Sequence, residues 1–167
     1  PVLASLLTSG CSFSPSVFRD GRRTNDTWVR QQLFALDCED GYGPEEFLQL
    51  CSTWEIHPAF VYPSFNHTDE KPRFRAVFVC DQVITDKRLR HLTQGLLMDM
   101  FDGKHIGQPS TVDPQCKDLA RFFLGTNKPL IYEDYEARVN PIQLLDSVIR
   151  KKSHRDATNF PRWLKHF

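Results

Sequence analysis

An acidic cluster that follows a short apolar run is the feature of this chain most suggestive of chemistry. The apolar residues 34–36 lead into the Asp-Cys-Glu-Asp sequence at 37–40, and the turn-forming residues 41–44 follow. A short apolar run bounded by turn residues is typical of a buried strand. Side chains alternate along a strand, so we expect Asp37 and Glu39 on one face, about 7 Å apart. Carboxylates at this spacing repel unless a cation such as Mg²⁺ or Mn²⁺ lies between them. For an isolated D-x-E, a solvated acidic strand end is the alternative.

Nitrogen-bearing side chains suited to phosphate lie further along the chain. His67 closes the stretch Ser-Phe-Asn-His at 64–67, and a neutral histidine near a phosphate can donate a hydrogen bond to it. Arg73 and Arg75 are two residues apart on a predicted strand, so both guanidinium groups project from one face. Their planar forks match phosphate oxygens. The alternatives are an ordinary loop histidine and a charged outer face of a strand.

A third carboxylate and a second arginine cluster complete the candidates. Asp113 follows an apolar residue and precedes a predicted short helix, so it is either a third metal ligand or the cap of that helix. Asp81 is a rival for the third acid. The polar stretch 11–27 carries three arginines and is either a solvated loop or a loop that contacts phosphates. These arginines are Arg19, Arg22 and Arg23.

Composition indicates a folded domain and leaves its partners open. The chain has 167 residues, enough for one ordinary domain, with 40% hydrophobic and 25% charged residues. Its 21 basic and 21 acidic side chains cancel, so any basic surface for nucleic acid has to be local. Five dispersed cysteines without a C-x-x-C pair argue against a zinc site or disulfide scaffold and favour a reducing cytoplasm. No apolar run is long enough to cross a membrane.

Hydrophobic spacing and turn residues predict an α+β domain. Thr85 is the predicted N-cap of the longest helix. The first and third strands are expected side by side in the middle of an RRM-like antiparallel or mixed sheet, with helices packed on one face. The predicted strands are 34–36, 59–62, 74–80 and 130–132, and the predicted helices are 3–7, 44–57, 86–101, 117–124 and 141–152.

One domain, 1–167, is predicted from this order of elements. Its core covers about 19–135, and a helical, basic tail covers about 140–167. The first residue is Pro rather than Met, so we expect a piece of a larger protein.

As an ordered set, these residues resemble the catalytic domain of the archaeo-eukaryotic primase superfamily, in particular the primase-polymerases of plasmids, phages and mobile elements. The family's first motif, an apolar strand ending in D-x-D or D-x-E, matches residues 37–39. Its second motif, a small residue and a histidine, matches Ser64 and His67 with altered spacing. A P-R-F-R strand of the mobile-element branch matches 72–75, and the third motif, an apolar residue and an Asp, matches 112–113. The resemblance covers about residues 19–126.

The resemblance implies template-dependent nucleotidyl transfer with two divalent ions, Mg²⁺ or Mn²⁺. It implies that Asp37, Glu39 and Asp113 hold the metal, with His67 also in the catalytic set. The partners implied are a DNA template and primer, dNTPs or NTPs, and a helicase domain or subunit of the same replication protein. The incoming nucleotide's phosphates are assigned to Ser64, His67, Arg73 and Arg75, and the nucleic acid to Arg19, Arg22, Arg23 and Arg121.

Three other kinds of protein share some of these sequence features. A non-catalytic module that binds single-stranded nucleic acid on an RRM-like sheet would stack bases on Tyr62, Phe74 and Phe78. The acidic pair argues against it, because carboxylates repel a phosphate backbone when no metal is present. A metal-dependent nuclease or rolling-circle nickase requires a His-x-His pair, which the sequence lacks. A plain interaction domain leaves the arginine pair and the three acids without a role.

Overall fold

A computed structural model describes residues 2–103 and 110–153, with side chains described up to residue 150. Within these ranges the chain forms four α-helices and five strands, with short 3-10 helices at Arg19–Gly21 and Pro114–Lys117. In chain order the elements are α1 Val2–Thr8, β1 Ser16–Phe18, β2 Trp28–Cys38, α2 Pro44–Trp54, β3 Phe60–Pro63, β4 Phe74–Ile84, α3 Lys87–Met100, β5 Tyr132–Glu133 and α4 Pro141–Ser153. None of the helices in these ranges is long and apolar enough to span a bilayer.

The strands form a single antiparallel sheet in the order β1-β2-β4-β3-β5. The strand that leads into Asp37 and the strand that begins at Phe74 are therefore neighbours in its middle, and the predicted α+β fold is confirmed. The register places Phe34 opposite Phe78 and Asp37 opposite Arg75. Because side chains alternate, the phenylalanines face one side of the sheet, and Asp37 and Arg75 face the other.

An aromatic cluster joins the helices to the phenylalanine side of the sheet. Phe47 of α2 lies 4.8 Å from the ring of Phe101, at the end of α3, and 5.3 Å from the ring of Phe74. Gln94 of α3 donates a hydrogen bond to the carbonyl of Ala35 on β2. Aromatic rings bury large apolar areas, so this packing holds the two central strands and their register in place.

Several predicted elements differ from the structure. The N-cap of α3 is Asp86 rather than Thr85, because the Asp86 carboxylate accepts a hydrogen bond from the backbone N–H of Leu89. The predicted helix 117–124 is wrong, since the 3-10 helix ends at Lys117 and the chain continues irregularly. β1 was missed, because a three-residue edge strand in a polar stretch has no apolar alternation to reveal it.

Candidate active site

The candidate site is centred on a buried carboxylate at the end of β2. Asp37 is 4% exposed, and Arg75 lies directly across from it on β4. Arg75 Nη2 donates to Asp37 Oδ2 at 3.3 Å, and Arg75 Nε lies 3.1 Å from Asp37 Oδ1. The latter contact lacks hydrogen-bond geometry, so Asp37 Oδ1 is a buried acceptor without a hydrogen-bond donor. Arg75 Nη1 donates to the carbonyl of Leu124, which fixes the guanidinium on its other side.

The second acid, Asp113, reaches this point through backbone pairing with the end of β2. The N–H of Asp113 donates to the carbonyl of Asp37 at 2.9 Å, and the N–H of Glu39 donates to the carbonyl of Thr111 at 2.8 Å. The segment that contains Thr111 passes close to residue 41, and only glycine fits there, since a Cβ would lie 2.1 Å from Thr111 Oγ1. Asp113 also caps the 3-10 helix by accepting from the N–H of Gln115. It therefore caps that helix and also lies beside Asp37.

Arg121 bridges the two carboxylates. Its Nη2 lies 2.8 Å from Asp113 Oδ2 and 3.3 Å from Asp37 Oδ2. Its Nη1 donates to Gln115 Oε1, and its guanidinium lies 5.8 Å from the ring centre of Phe123. Arg121 was predicted as a contact for the template or for the nucleotide's phosphates, and its position between the acids was missed. Nothing in the local sequence indicates this position, because Arg121 is eight residues from Asp113 in an irregular segment.

Glu39, Arg73 and His67 form the outer part of the site. Arg73 Nη2 lies 3.6 Å from Glu39 Oε2, an ion pair on the same sheet face as the Asp37–Arg75 pair. The backbone N–H of Arg73 donates to His67 Nδ1 at 3.0 Å. Because Nδ1 accepts, the proton of a neutral His67 resides on Nε2, which is then a hydrogen-bond donor. Asp40 is held by Lys71 at 3.1 Å, and this hydrogen bond lowers the pKa of Asp40.

The loop that carries His67 is fixed from both sides. Ser64 is buried, its N–H donates to the carbonyl of Arg73, and its carbonyl accepts from the N–H of His67. Lys128 Nζ donates to the carbonyls of Phe65 and His67 at 3.2 and 3.3 Å. Backbone contacts of this kind hold the histidine beside Arg73 without occupying its Nε2. The contact of Lys128 with this loop was not predicted, because Lys128 is 61 residues away from His67 in sequence.

Other predicted site residues lie outside this cluster. Arg19 and Arg22 are exposed, and Arg23 lies over the ring of Phe122 at 4.6 Å and donates to the carbonyl of Ala120. Asp81, the rival third acid, is six residues beyond Arg75 on β4, which is about 20 Å along a strand. It accepts a hydrogen bond from Asn140 Nδ2. The acid that the fold brings to Asp37 is Asp113.

A buried arginine and a buried thiol support the cluster from beneath. Arg90 of α3 is 2% exposed and donates to Gln31 Oε1 and to the carbonyls of Lys117 and Asp118, which anchors the segment after Asp113. Cys116 Sγ accepts from the N–H of Asp37, and burial raises the pKa of the Cys116 thiol to about 12. Both residues were missed.

The fit of this site to a divalent cation is partial. Two carboxylates converge, and the unbonded Oδ1 of buried Asp37 is the kind of oxygen that Mg²⁺ and Mn²⁺ bind. Among the described residues, however, no group of three His, Cys, Asp or Glu side chains is placed to hold a metal ion. Arg121 lies between the two carboxylates, and Glu39 faces Arg73. A metal site with all three acids stays a prediction.

A search of solved structures finds a similar fold in a phage domain. The AEP domain of the cyanophage S-2L primase-polymerase has a TM-score of 0.59 to this chain at 11% identity, covering 87% of this chain and 75% of that chain. The two chains share a fold. A scan of family models and a search of curated proteins found no match. The predicted likeness to a primase domain is therefore shown for the fold, and the identity is too low to extend it to individual residues.

The stacking surface proposed for a non-catalytic module is wrong. Tyr62, Phe74 and Phe78 are all 0% exposed, because Phe74 and Phe78 pack against Phe47 and the hydroxyl of Tyr62 donates to the carbonyl of Leu124. A buried ring offers no face to a nucleobase.

Proposed function

We propose that this protein is a template-dependent nucleotidyltransferase that adds dNTPs or NTPs to the 3′-hydroxyl of a primer on DNA, as a primase or polymerase module of a replication protein. The observation that carries the proposal is the convergence of Asp37 and Asp113 where β2 ends and β4 begins. Arg73, which precedes β4, contacts Glu39 and His67. The fold shared with a phage primase-polymerase domain supports it. A helicase unit acting with this module is part of the same proposal.

Asp37 and Asp113 are the proposed first ligands of a divalent ion, Mg²⁺ or Mn²⁺. Divalent ions, when bound, activate the attacking hydroxyl and neutralise charge on the triphosphate. Glu39 is the proposed third ligand, and its 3.6 Å contact with Arg73 is weak enough to exchange, since both side chains are partly exposed. The sheet places Glu39 two residues after Asp37 on the same face.

His67 and Arg73 are the proposed contacts for the phosphates of the incoming nucleotide. His67 offers its Nε2–H because the backbone of Arg73 holds Nδ1. Arg73 is partly exposed and carries a planar fork of donors suited to phosphate oxygens. Arg75 is not a proposed phosphate contact, because its guanidinium already contacts Asp37 and the carbonyl of Leu124. Arg75 orients Asp37.

The test is primer extension on a primed DNA template with Mn²⁺ and labelled nucleotides. We expect extension by the wild type and a loss of at least about a hundredfold for Asp37→Asn and Asp113→Asn, since metal contacts supply several kcal/mol. The matched control is Asp81→Asn, which removes the same charge from the same sheet, about 20 Å away. It should retain wild-type extension.

A substitution of the histidine separates the phosphate contact from the metal contact. His67→Gln should raise KM for the nucleotide and leave Mn²⁺ affinity close to that of the wild type, since the proposed role of His67 is to donate to a phosphate oxygen and not to bind metal. Tight binding of DNA without extension under any metal would overturn the enzyme proposal and favour a binding module that uses the arginine-rich loop. Wild-type activity in folded Asp37→Asn would overturn the assignment of the acids.

A further inference from the structure

We propose that Arg121 is an internal counter-cation that fills the divalent-cation position between Asp37 and Asp113 and leaves it when a metal ion binds. This inference rests on the proposed function, because it concerns the same pair of acids. Its Nη2 lies within 3.3 Å of one carboxylate oxygen from each acid, which is the relation that a shared metal ion has to its ligands.

Of the two guanidinium groups that contact Asp37, Arg121 is held less firmly than Arg75. The side chain of Arg75 is 10% exposed and is held by Asp37 and by the carbonyl of Leu124. The side chain of Arg121 is 23% exposed, and its hydrogen bonds go to the side chains of Asp37, Asp113 and Gln115. It also lies 5.8 Å from the ring centre of Phe123, and the side chain of Gln115 is exposed. Releasing Arg121 breaks contacts with side chains and leaves the backbone of the site intact.

Charge balance explains why the arginine is needed and why it has to leave. Four acids and four cations balance at the site: they are Asp37, Asp113, Glu39 and Asp40 with Arg75, Arg121, Arg73 and Lys71. A buried carboxylate without a cation is costly, so Arg121 stabilises the pair when no metal is present. A divalent ion added on top of this arrangement would give an excess of two positive charges and would repel the guanidinium. Metal and Arg121 therefore compete for one place.

The consequence is that Arg121 lowers the metal affinity of the resting protein. When Arg121 is displaced, its guanidinium would remain near the metal, because it lies over the ring of Phe123. A triphosphate brings negative charge that a freed guanidinium can bind, so nucleotide and metal should help each other to bind. Arg121 is a positioning residue in this scheme, acting on Asp37 and Asp113.

The experiment measures Mn²⁺ binding to the intact protein by electron paramagnetic resonance, without nucleotide. We expect Arg121→Gln to bind Mn²⁺ at least about tenfold more tightly than the wild type, since a competing charge is gone. Arg121→Lys should lie between them, because an ammonium keeps the charge but not the two-carboxylate fork. The control is Arg138→Gln, an exposed arginine that donates to the carbonyls of Tyr135 and Ala137.

A second readout is thermal unfolding with and without Mn²⁺. Arg121→Gln should melt below the wild type without metal and gain more from added Mn²⁺, because Asp113 has lost its ion pair with Arg121 and Asp37 keeps only Arg75. Mn²⁺ bound equally or more weakly by Arg121→Gln, with binding to the wild type abolished by Asp37→Asn, would overturn this inference and leave the proposed function standing. No Mn²⁺ binding by any variant would overturn both.

Discussion

The substitution Asp37→Asn tests the electrostatics at the centre of the site. It keeps the size and shape of the side chain and removes only its charge. Arg75 then remains, 10% exposed, without the carboxylate that compensates it. Arg121 is less affected, because it is more exposed and retains Asp113. The substitution therefore isolates the contribution of one buried ion pair to the stability of the sheet.

The expected cost follows from the burial of the pair. Removing one partner of a buried ion pair typically costs 3–5 kcal/mol. The lower end applies here, about 3 kcal/mol, because Arg121 keeps a partner and an asparagine oxygen can still accept from Arg75 Nη2. For a chain of this size, that free energy lowers the melting temperature by about 6–12 °C.

The assay is urea unfolding followed by tryptophan fluorescence, to which Trp28 contributes, since it is 4% exposed and becomes exposed to solvent when the sheet unfolds. A double-mutant cycle with Arg75→Met assigns the effect to the pair. The double variant should lose at least about 2 kcal/mol less than the sum of the single variants, because the remaining partner no longer carries an unbalanced charge.

A loss below about 1 kcal/mol for Asp37→Asn, or strictly additive losses in the cycle, would show that the Asp37–Arg75 ion pair does not stabilise the sheet. The charge of Asp37 would then make little net contribution to the free energy of unfolding. An increase in stability would mean that repulsion from Glu39 and Asp113 outweighs the attraction of the arginines. The result also bears on the primer-extension test, since the melting point of Asp37→Asn shows whether lost activity is lost folding.

Two further predictions concern the buried support of the site. Arg90→Met should cost about 3–5 kcal/mol in urea unfolding, because the carbonyls of Lys117 and Asp118 lose their donor and Gln31 Oε1 keeps only the bond from Ser16. The exposed control Arg138→Met should change little, and a loss under about 1 kcal/mol for Arg90→Met would contradict this. In the native protein only the exposed Cys11 should react with a thiol reagent. The four buried thiols should react only after unfolding, because burial raises the pKa of each; they are Cys38, Cys51, Cys80 and Cys116. Mass spectrometry counts the labels, and a second fast label would show that one of these thiols is accessible.

Much of the central sheet could be predicted from local patterns. The run that ends at Asp37 and the run that begins at Phe74 are apolar, bounded by turn residues, and long enough to read as strands. Their pairing followed from the order of elements, and side-chain alternation then placed Asp37 and Arg75 on a common face. The edge strand β1 lacked such a pattern and was taken for a loop.

The sequence predicted some of the neighbours at the candidate site and missed the ion pairs between them. The structure pairs the backbone of Asp113 with Asp37, and places Arg73 against Glu39 and His67. That these residues act as a site stays a prediction. Which cation balances which acid could not be predicted, because ion pairs depend on where long side chains meet in space. Arg121 and Arg90 reach the site from an irregular segment and from the inward face of α3.

By itself, then, the sequence determined the central strands, the helices that flank them, and the acid at the end of β2, because periodicity and alternation act over a few residues. The tertiary structure decided that Asp113 rather than Asp81 lies beside Asp37, that Tyr62, Phe74 and Phe78 are core residues, and that Arg121 balances two acids. Each of these depends on contacts between residues far apart in the chain, where burial and charge are set by packing rather than by neighbouring residues.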